Sequence, residues 1–233
     1  MQNRINGAIE VICKEIKEKE TFSWEKATEE RLLFELVLAI LGSQNRYEVA
    51  LRFSEEIKKH GLLKEKLRSS IAELEEEIYA ILSTALDVDD NMVKFKYRFP
   101  NAKARYIAYD LYYFQSIGGI KNLLRNIDDT ANLRAFFVKE IKGIGPKQSS
   151  HFLRNIGYSN ELAVLDVHIL RYMKIQGIIE EGYEKAIGTL KQYEKLEAML
   201  IEFLKFMQYP IGLVDQAIWI VMRVYQKDFA KWQ

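Results

Sequence analysis

Apolar residues recur at three- and four-residue intervals along this 233-residue sequence, and no stretch alternates convincingly as a half-buried strand would. Only three prolines interrupt it. That combination predicts an all-α fold, with about ten to twelve helices on ordinary length priors. The strongest stripe, Leu32, Leu33, Leu36, Val37, Ile40 and Leu41, predicts a helix over 29–42. Its first turn carries Glu29 and Glu30, where the helix dipole favours anions. Ile5, Ile9, Ile12 and Ile16 mark a helix over 5–18. Residues 70–86 form another, with Glu75 to Glu77 on its solvated face, and 120–126 a short one. Leu196, Met199, Leu200, Phe203, Leu204 and Met207 mark a core helix over 193–207, stopped at Tyr209-Pro210. A last helix spans about 212–226.

The balance of 48% apolar and 29% charged residues suits a packed chain, long enough for one large or two small domains. No linker divides it in sequence. The net charge is +1, so a nucleic-acid site has to be a local basic patch. Cys13 is the only cysteine, which excludes an intrachain disulfide and any all-cysteine metal or iron–sulfur cluster within the chain. The first twenty residues lack the uncharged apolar run of a signal peptide, and no segment approaches the roughly 18 apolar residues of a membrane span. The expectation is an intracellular protein in a reducing compartment.

Two polar segments stand between predicted helices. Gly42-Ser43-Gln44-Asn45-Arg46 precedes a helix marked by Val49, Ala50 and Phe53, and by itself reads as a plain connecting loop. Phe95 to Tyr106 interleaves basic and aromatic residues, a pattern that suits nucleic acid. It suits equally a loop whose aromatics pack inward while Lys96, Arg98, Lys103 and Arg105 stay in water. Pro100 breaks any helix there and Asn101 is a candidate N-cap for the next.

The stretch from Leu133 to Arg171 carries the chemistry. Asp128, Asp129 and Thr130 offer caps for a helix bearing Leu133, Phe136, Phe137 and Ile141. It runs into Gly143-Ile144-Gly145, and a second helix starts at Pro146. Proline suits the first helical position, where its missing N–H costs nothing. Glycines free the turn's backbone N–H groups to meet a phosphate oxygen without sequence preference. Lys147 falls in the first turn of the second helix. A free lysine is only about 0.04% neutral amine at pH 7. The helix N-terminus and burial both disfavour an ammonium, whereas a nearby carboxylate favours it. From composition alone Lys147 is better suited to binding phosphate than to nucleophilic attack.

Gly143-Ile144-Gly145-Pro146-Lys147, followed 19 positions later by Asp166 within Val164-Leu165-Asp166-Val167-His168, resembles the helix-hairpin-helix DNA glycosylase superfamily. In particular it is similar to the small archaeal and bacterial 8-oxoguanine DNA glycosylase/lyases. Arg98 to Ile107 and Lys142 to Asn155 match the wider pattern, and the likeness extends from about Glu35 to Trp219. The resemblance implies two helical subdomains with a cleft between them: 1–30 with 160–233, and 31–159, the latter ending in the hairpin at about 133–157.

It also implies roles. Lys147 is the nucleophile that attacks deoxyribose C1′, and the Schiff base that follows permits β-elimination. Asp166 accepts a proton or stabilises the cationic sugar. His151, one turn beyond Lys147, lines the base pocket. Trp219 stacks on the flipped base, with Asp215 reading its edge; the alternative for Trp219 is plain core. His168 contacts a DNA phosphate, or is a satisfied structural histidine. Gly143 and Gly145 clamp the backbone, while Gln44, Asn45 and Arg46 lie in the loop that fills the gap left by the extruded base. The carbonyls of Lys139, Ile141 and Ile144 are candidate ligands of a structural Na⁺ or K⁺ ion; no cofactor is required. The chain end, Phe229 to Gln233, is a candidate pocket cover. The implied partner is damaged double-stranded DNA, bound by a monomer in a prokaryote's cytoplasm or nucleoid.

The sequence reads as too short and too helical for the N-terminal β domain expected of larger relatives, and it departs from endonuclease III relatives in having no four-cysteine cluster. The reader of the orphaned cytosine has no clear match. Two other readings stand beside the first. One is a glycosylase/lyase for another damaged base or for abasic sites. The other is a non-catalytic helix-hairpin-helix DNA-binding module, which leaves the Lys147–Asp166 pair unexplained.

Overall fold

The computed structural model describes residues 2–17, 22–64, 70–87, 94–180, 182 and 187–229. Among them eleven α-helices follow in order: α1 (Gln2–Lys17), α2 (Glu29–Leu41), α3 (Tyr47–Lys59), α4 (Ile71–Ser83), α5 (Pro100–Ser116), α6 (Ile120–Asn126), α7 (Thr130–Glu140), α8 (Pro146–Asn155), α9 (Val167–Ile175), α10 (Leu190–Leu204) and α11 (Ile211–Phe229). A 3-10 turn, Lys205–Met207, extends α10. The expected helical architecture is present, with one addition. Strands β1 (Leu86–Asp87) and β2 (Lys94–Phe95) pair antiparallel, Leu86 opposite Phe95 and Asp87 opposite Lys94. Two residues per strand are too few to show alternation. The same pairing explains why α4 stops at Ser83 rather than at 86: Thr84 is already extended.

The chain divides into two compact units, 23–156 and 1–22 with 157–233. The expected divisions were 30/31 and 159/160. Residues 23–30 belong with the middle helices because they are tied to α6. The Glu29 carboxylate accepts from the amides of Ile120 and Lys121, and Lys121 Nζ donates to the carbonyls of Glu25 and Ala27, both at 2.9 Å.

In the 23–156 unit, α2 is central. Ten of its residues, Leu32 to Leu41, are buried, and it packs against α3, α5, α6 and α8. Thr28 caps its first turn. α5 begins at Pro100, with Phe99 in the cap position and Asn101 inside the first turn. The ring's fixed φ fits the first helical position, so Asn101 is displaced from the capping role expected of it. Asp129 caps α7 by accepting from Asn132 N–H at 2.6 Å.

In the other unit, α1 and α9 pack on α11. Ile5, Ile9 and Cys13 of α1 are buried with Ile169, Met173, Leu196, Leu200, Val214 and Ile218. Tyr172 is also buried there, its hydroxyl donating to Asn6 Oδ1 at 2.9 Å. Of the candidate pocket cover, residues 230–233 lie outside the described residues. No helix among the described residues is long and apolar enough to cross a membrane.

Candidate active site

The hairpin consists of α7, the turn from Ile141 to Gly145, and α8. Gly143 has φ +75°, a left-handed conformation that disfavours side chains. A Cβ there would lie 2.8 Å from Tyr106 Cδ2 and 3.3 Å from Ile40 Cγ2, so the turn also needs glycine for its close approach to α5 and α2. Gly145 differs. Its backbone is extended and a Cβ would meet only Gln148 Oε1, at 3.4 Å. What Gly145 contributes is an uncapped helix start. No side chain caps α8, and among the described residues the amides of Lys147 and Gln148 have no acceptor. Two amides at a helix's positive end, with a cationic side chain between them in sequence, suit a phosphate oxygen.

The turn is held from α5. Asp110, 1% exposed, accepts the Lys142 amide at 2.9 Å through Oδ1, while its Oδ2 is buried without a hydrogen-bond partner. Burial pushes its carboxyl up to about 8, opposed by the Lys142 amide and ammonium. From below, Phe137 and Phe152 set α7 against α8, ring centroids 5.1 Å apart. Buried Arg134 of α7 reaches Ser150 Oγ at 3.4 Å.

Lys147 is the second residue of α8 and is partly exposed. His151 follows one turn later on the same face. Burial, aided by the positive charges of Arg154 and Lys147, pushes the His151 imidazole down to about 4, so the ring is neutral at pH 7. The carbonyls of Lys139, Ile141 and Ile144 accept no hydrogen bond from the described residues. Such oxygens at a helix end and turn fit a hard monovalent cation. No group of three or more His, Cys, Asp or Glu able to hold a metal occurs among the described residues.

The loop from Gly42 to Arg46 belongs to the same unit. Gln44 is exposed and left-handed, φ +59°, a conformation non-glycine residues seldom hold without purpose. The loop is clamped where it leaves α2. Lys103 Nζ donates to Ile40 O and the Tyr97 hydroxyl to Leu41 O, both at 2.6 Å, and Asn45 reaches Tyr97 with its side chain. Arg46 lies over the Phe95 ring, 4.6 Å from its centroid. Lys103 is therefore buried rather than in water, and burial lowers its pKa. Lys103, Tyr97 and Asp110 are site-shaping residues that sequence spacing did not single out. The signal for the first two was a lysine and a tyrosine at positions whose periodicity points inward.

In the other unit, Asp166 occupies the N-cap of α9. Its Oδ1 accepts from the amides of His168, 2.9 Å, and Ile169, 3.0 Å, leaving Oδ2 without a partner among the described residues. The cap fixes the carboxylate while one oxygen stays available. His168 and Trp219 meet edge to face, centroids 6.0 Å apart, and Arg223 lies 4.8 Å from the Trp219 centroid. Trp219 is 37% exposed, which removes the plain-core alternative. His168 Nδ1 is buried without a hydrogen-bond partner. Asp215, expected to read a base edge, is 1% exposed, and its carboxylate accepts the Val164 amide. In this conformation it supports the segment that leads to Asp166.

A family model described as 8-oxoguanine DNA glycosylase matches residues 13–209. An 8-oxoguanine DNA glycosylase/AP lyase of Metallosphaera sedula is 32% identical over 205 residues, 86% of each chain. The crystal structure of the Methanocaldococcus jannaschii 8-oxoguanine DNA glycosylase superposes with a TM-score of 0.68 at 28% identity, covering 92% of this chain and 91% of that one. A Methanocaldococcus jannaschii 8-oxoguanine glycosylase/lyase in complex with a 15-mer DNA containing 8-oxoguanine shares the fold, with a TM-score of 0.62 at 24% identity and coverage of 93% and 88%.

Proposed function

The chain belongs to the 8-oxoguanine DNA glycosylase family, and from that premise we propose that it removes 8-oxoguanine from double-stranded DNA and cleaves the strand at the resulting site. The observation that carries the reading is Lys147 in the uncapped first turn of α8, in a chain whose family match includes both it and the capped Asp166.

The lesion nucleotide leaves the stack, because its glycosidic bond cannot be reached inside a duplex. The Lys147 amine attacks C1′, the C1′–N9 bond breaks, and its electron pair leaves with the base, which takes up a proton. Asp166, held by two amides with one oxygen available, stabilises the cationic character that grows on the sugar or receives the proton shed by the attacking amine. Ring opening gives a C1′ imine on Lys147. The imine acidifies C2′; loss of that proton expels the 3′ phosphate and cuts the strand. Neutral His151 lines the pocket as an uncharged partner for the base.

The hairpin amides and the Gln44–Arg46 loop hold the duplex and fill the gap left by the extruded base. The carbonyls of Lys139, Ile141 and Ile144 would hold a sodium or potassium ion, whose charge would help neutralise a backbone phosphate. Trp219, exposed and braced by His168 and Arg223, offers its face for stacking. The proposed acting unit is a monomer, working on DNA inside the cell.

The test is a panel of duplexes carrying 8-oxoguanine, an oxidised pyrimidine or an abasic site, with base release and strand cleavage measured separately. Release of 8-oxoguanine followed by cleavage is expected. Asp166→Asn slows release by roughly 10²-fold or more while duplex affinity is largely kept. Release of the pyrimidine but not of 8-oxoguanine contradicts the lesion assignment. Duplex binding with no turnover on any lesion contradicts the enzyme.

A further inference from the structure

Just before Asp166 the chain does something unusual for a helical protein. Leu162, Ala163, Val164 and Leu165 run through the interior as an irregular segment outside any described helix or strand, all four side chains buried. Buried amides need acceptors, and here no neighbouring strand supplies them. Three side chains do so instead, one for each successive amide. Glu197 Oε1 of α10 accepts from Ala163 N–H at 2.8 Å. The Asp215 carboxylate of α11 accepts from Val164 N–H. The Tyr193 hydroxyl of α10 accepts from Leu165 N–H at 2.9 Å and donates to Ala163 O at 2.8 Å. The Val164 carbonyl then accepts the Asp166 amide at 2.8 Å, and Asp166 opens α9.

Glu197, Asp215 and Tyr193 are all buried. A purely structural need for two acceptors is met at less cost by neutral amides, because burying a carboxylate is strongly unfavourable unless it is well bonded. What carboxylates add is shorter, stronger bonds to the amides they hold. Here those bonds fix the register of the residues immediately before Asp166.

We propose that Tyr193, Glu197 and Asp215 are positioning residues that set the Asp166 carboxylate through the amides of residues 163–165. This rests on the function proposed above for Asp166. It gives Asp215 a role other than reading the base edge, and it brings in Tyr193 and Glu197, which sequence spacing placed only on a core helix. Displacement of a reacting group by about 1 Å can cost on the order of 10²-fold in rate, so losing one such tether is expected to show in catalysis.

Tyr193→Phe is the informative variant, since it removes both hydroxyl contacts and keeps the ring. Glu197→Gln serves as a milder second case that retains an oxygen acceptor. Two readouts are combined. Hydrogen exchange of the His168 and Ile169 amides, which the Asp166 cap protects, is expected to quicken in Tyr193→Phe while Tyr172, deeper in α9, is unchanged. Single-turnover release of 8-oxoguanine is expected to fall about tenfold or more in Tyr193→Phe, less in Glu197→Gln, and not further when Tyr193→Phe is added to Asp166→Asn.

Unchanged exchange at His168 and Ile169 overturns the proposal, as does an equal fold-loss from Tyr193→Phe with and without Asp166. If the unsubstituted protein released no 8-oxoguanine, the function would be at fault, and the exchange readout would still decide the positioning role.

Discussion

Asp110 shows what one buried group does to the hairpin. Its carboxyl is pushed up to about 8, above the unfolded value of 3.8, so the folded chain keeps a proton that the unfolded chain releases. Stability associated with this group is full below pH 4 and is lost as pH rises through 8. The slope is at most about 1.4 kcal/mol per pH unit in that window. His151 acts on the acid side: its depressed value, about 4, means that stability is lost as pH falls from 6.5 through 4. Denaturant unfolding at pH 6 and pH 8 should show Asp110→Asn gaining on the unsubstituted protein by up to roughly 2–3 kcal/mol, because the amide keeps an acceptor for Lys142 N–H and carries no charge. An equal difference at both pH values would show that Asp110 does not titrate in the fold between them. Nothing in the sequence around Asp110 announced this. An aspartate in the middle of a long helix reads as a solvated residue until the turn at Lys142 is seen to need its oxygen.

The hairpin glycines separate two uses of the same residue. Gly143→Ala adds a Cβ at positive φ, 2.8 Å from Tyr106 Cδ2. It is expected to cost roughly 1–3 kcal/mol, seen as a lower melting temperature, and to weaken duplex binding. Gly145→Ala meets nothing closer than 3.4 Å in an extended backbone. It should leave stability within about 0.5 kcal/mol of the unsubstituted protein. Equal destabilisation by both variants would refute the distinction. The GxG spacing identified the turn, and Pro146 identified the start of α8. It could not say which glycine the fold requires, because that depends on Tyr106 and Ile40, far away in sequence. Helix ends were readable where caps or glycines mark them, as at α6 over 120–126. They were not readable where a tertiary partner intervenes, as at α4, which stops early because Leu86 pairs with Phe95.

For the whole molecule, the helical periods predicted an all-α chain, while the division into two units, which no linker announces, was implied only by the family resemblance. Each unit carries its own part of the proposed chemistry: the hairpin, Lys147 and the Gln44–Arg46 loop in one, the capping Asp166 and Trp219 in the other. The two residues proposed as catalytic could be picked out of the sequence because hairpin and aspartate lie within one short stretch of it. Their supports were not: Lys103 and Tyr97 beneath the loop, Asp110 beneath the turn, and Tyr193, Glu197 and Asp215 behind Asp166 are joined to the site only by folding. A net charge of +1 leaves DNA affinity to local groups rather than to the overall field.

The proposed mechanism requires Lys147 to form a covalent imine with the sugar of the excised base. Borohydride reduction during reaction with an 8-oxoguanine duplex tests it directly. A stable protein–DNA adduct is expected with the unsubstituted chain and none with Lys147→Ala. An undiminished adduct in Lys147→Ala, or release of 8-oxoguanine by the unsubstituted chain with no adduct formed, would contradict it.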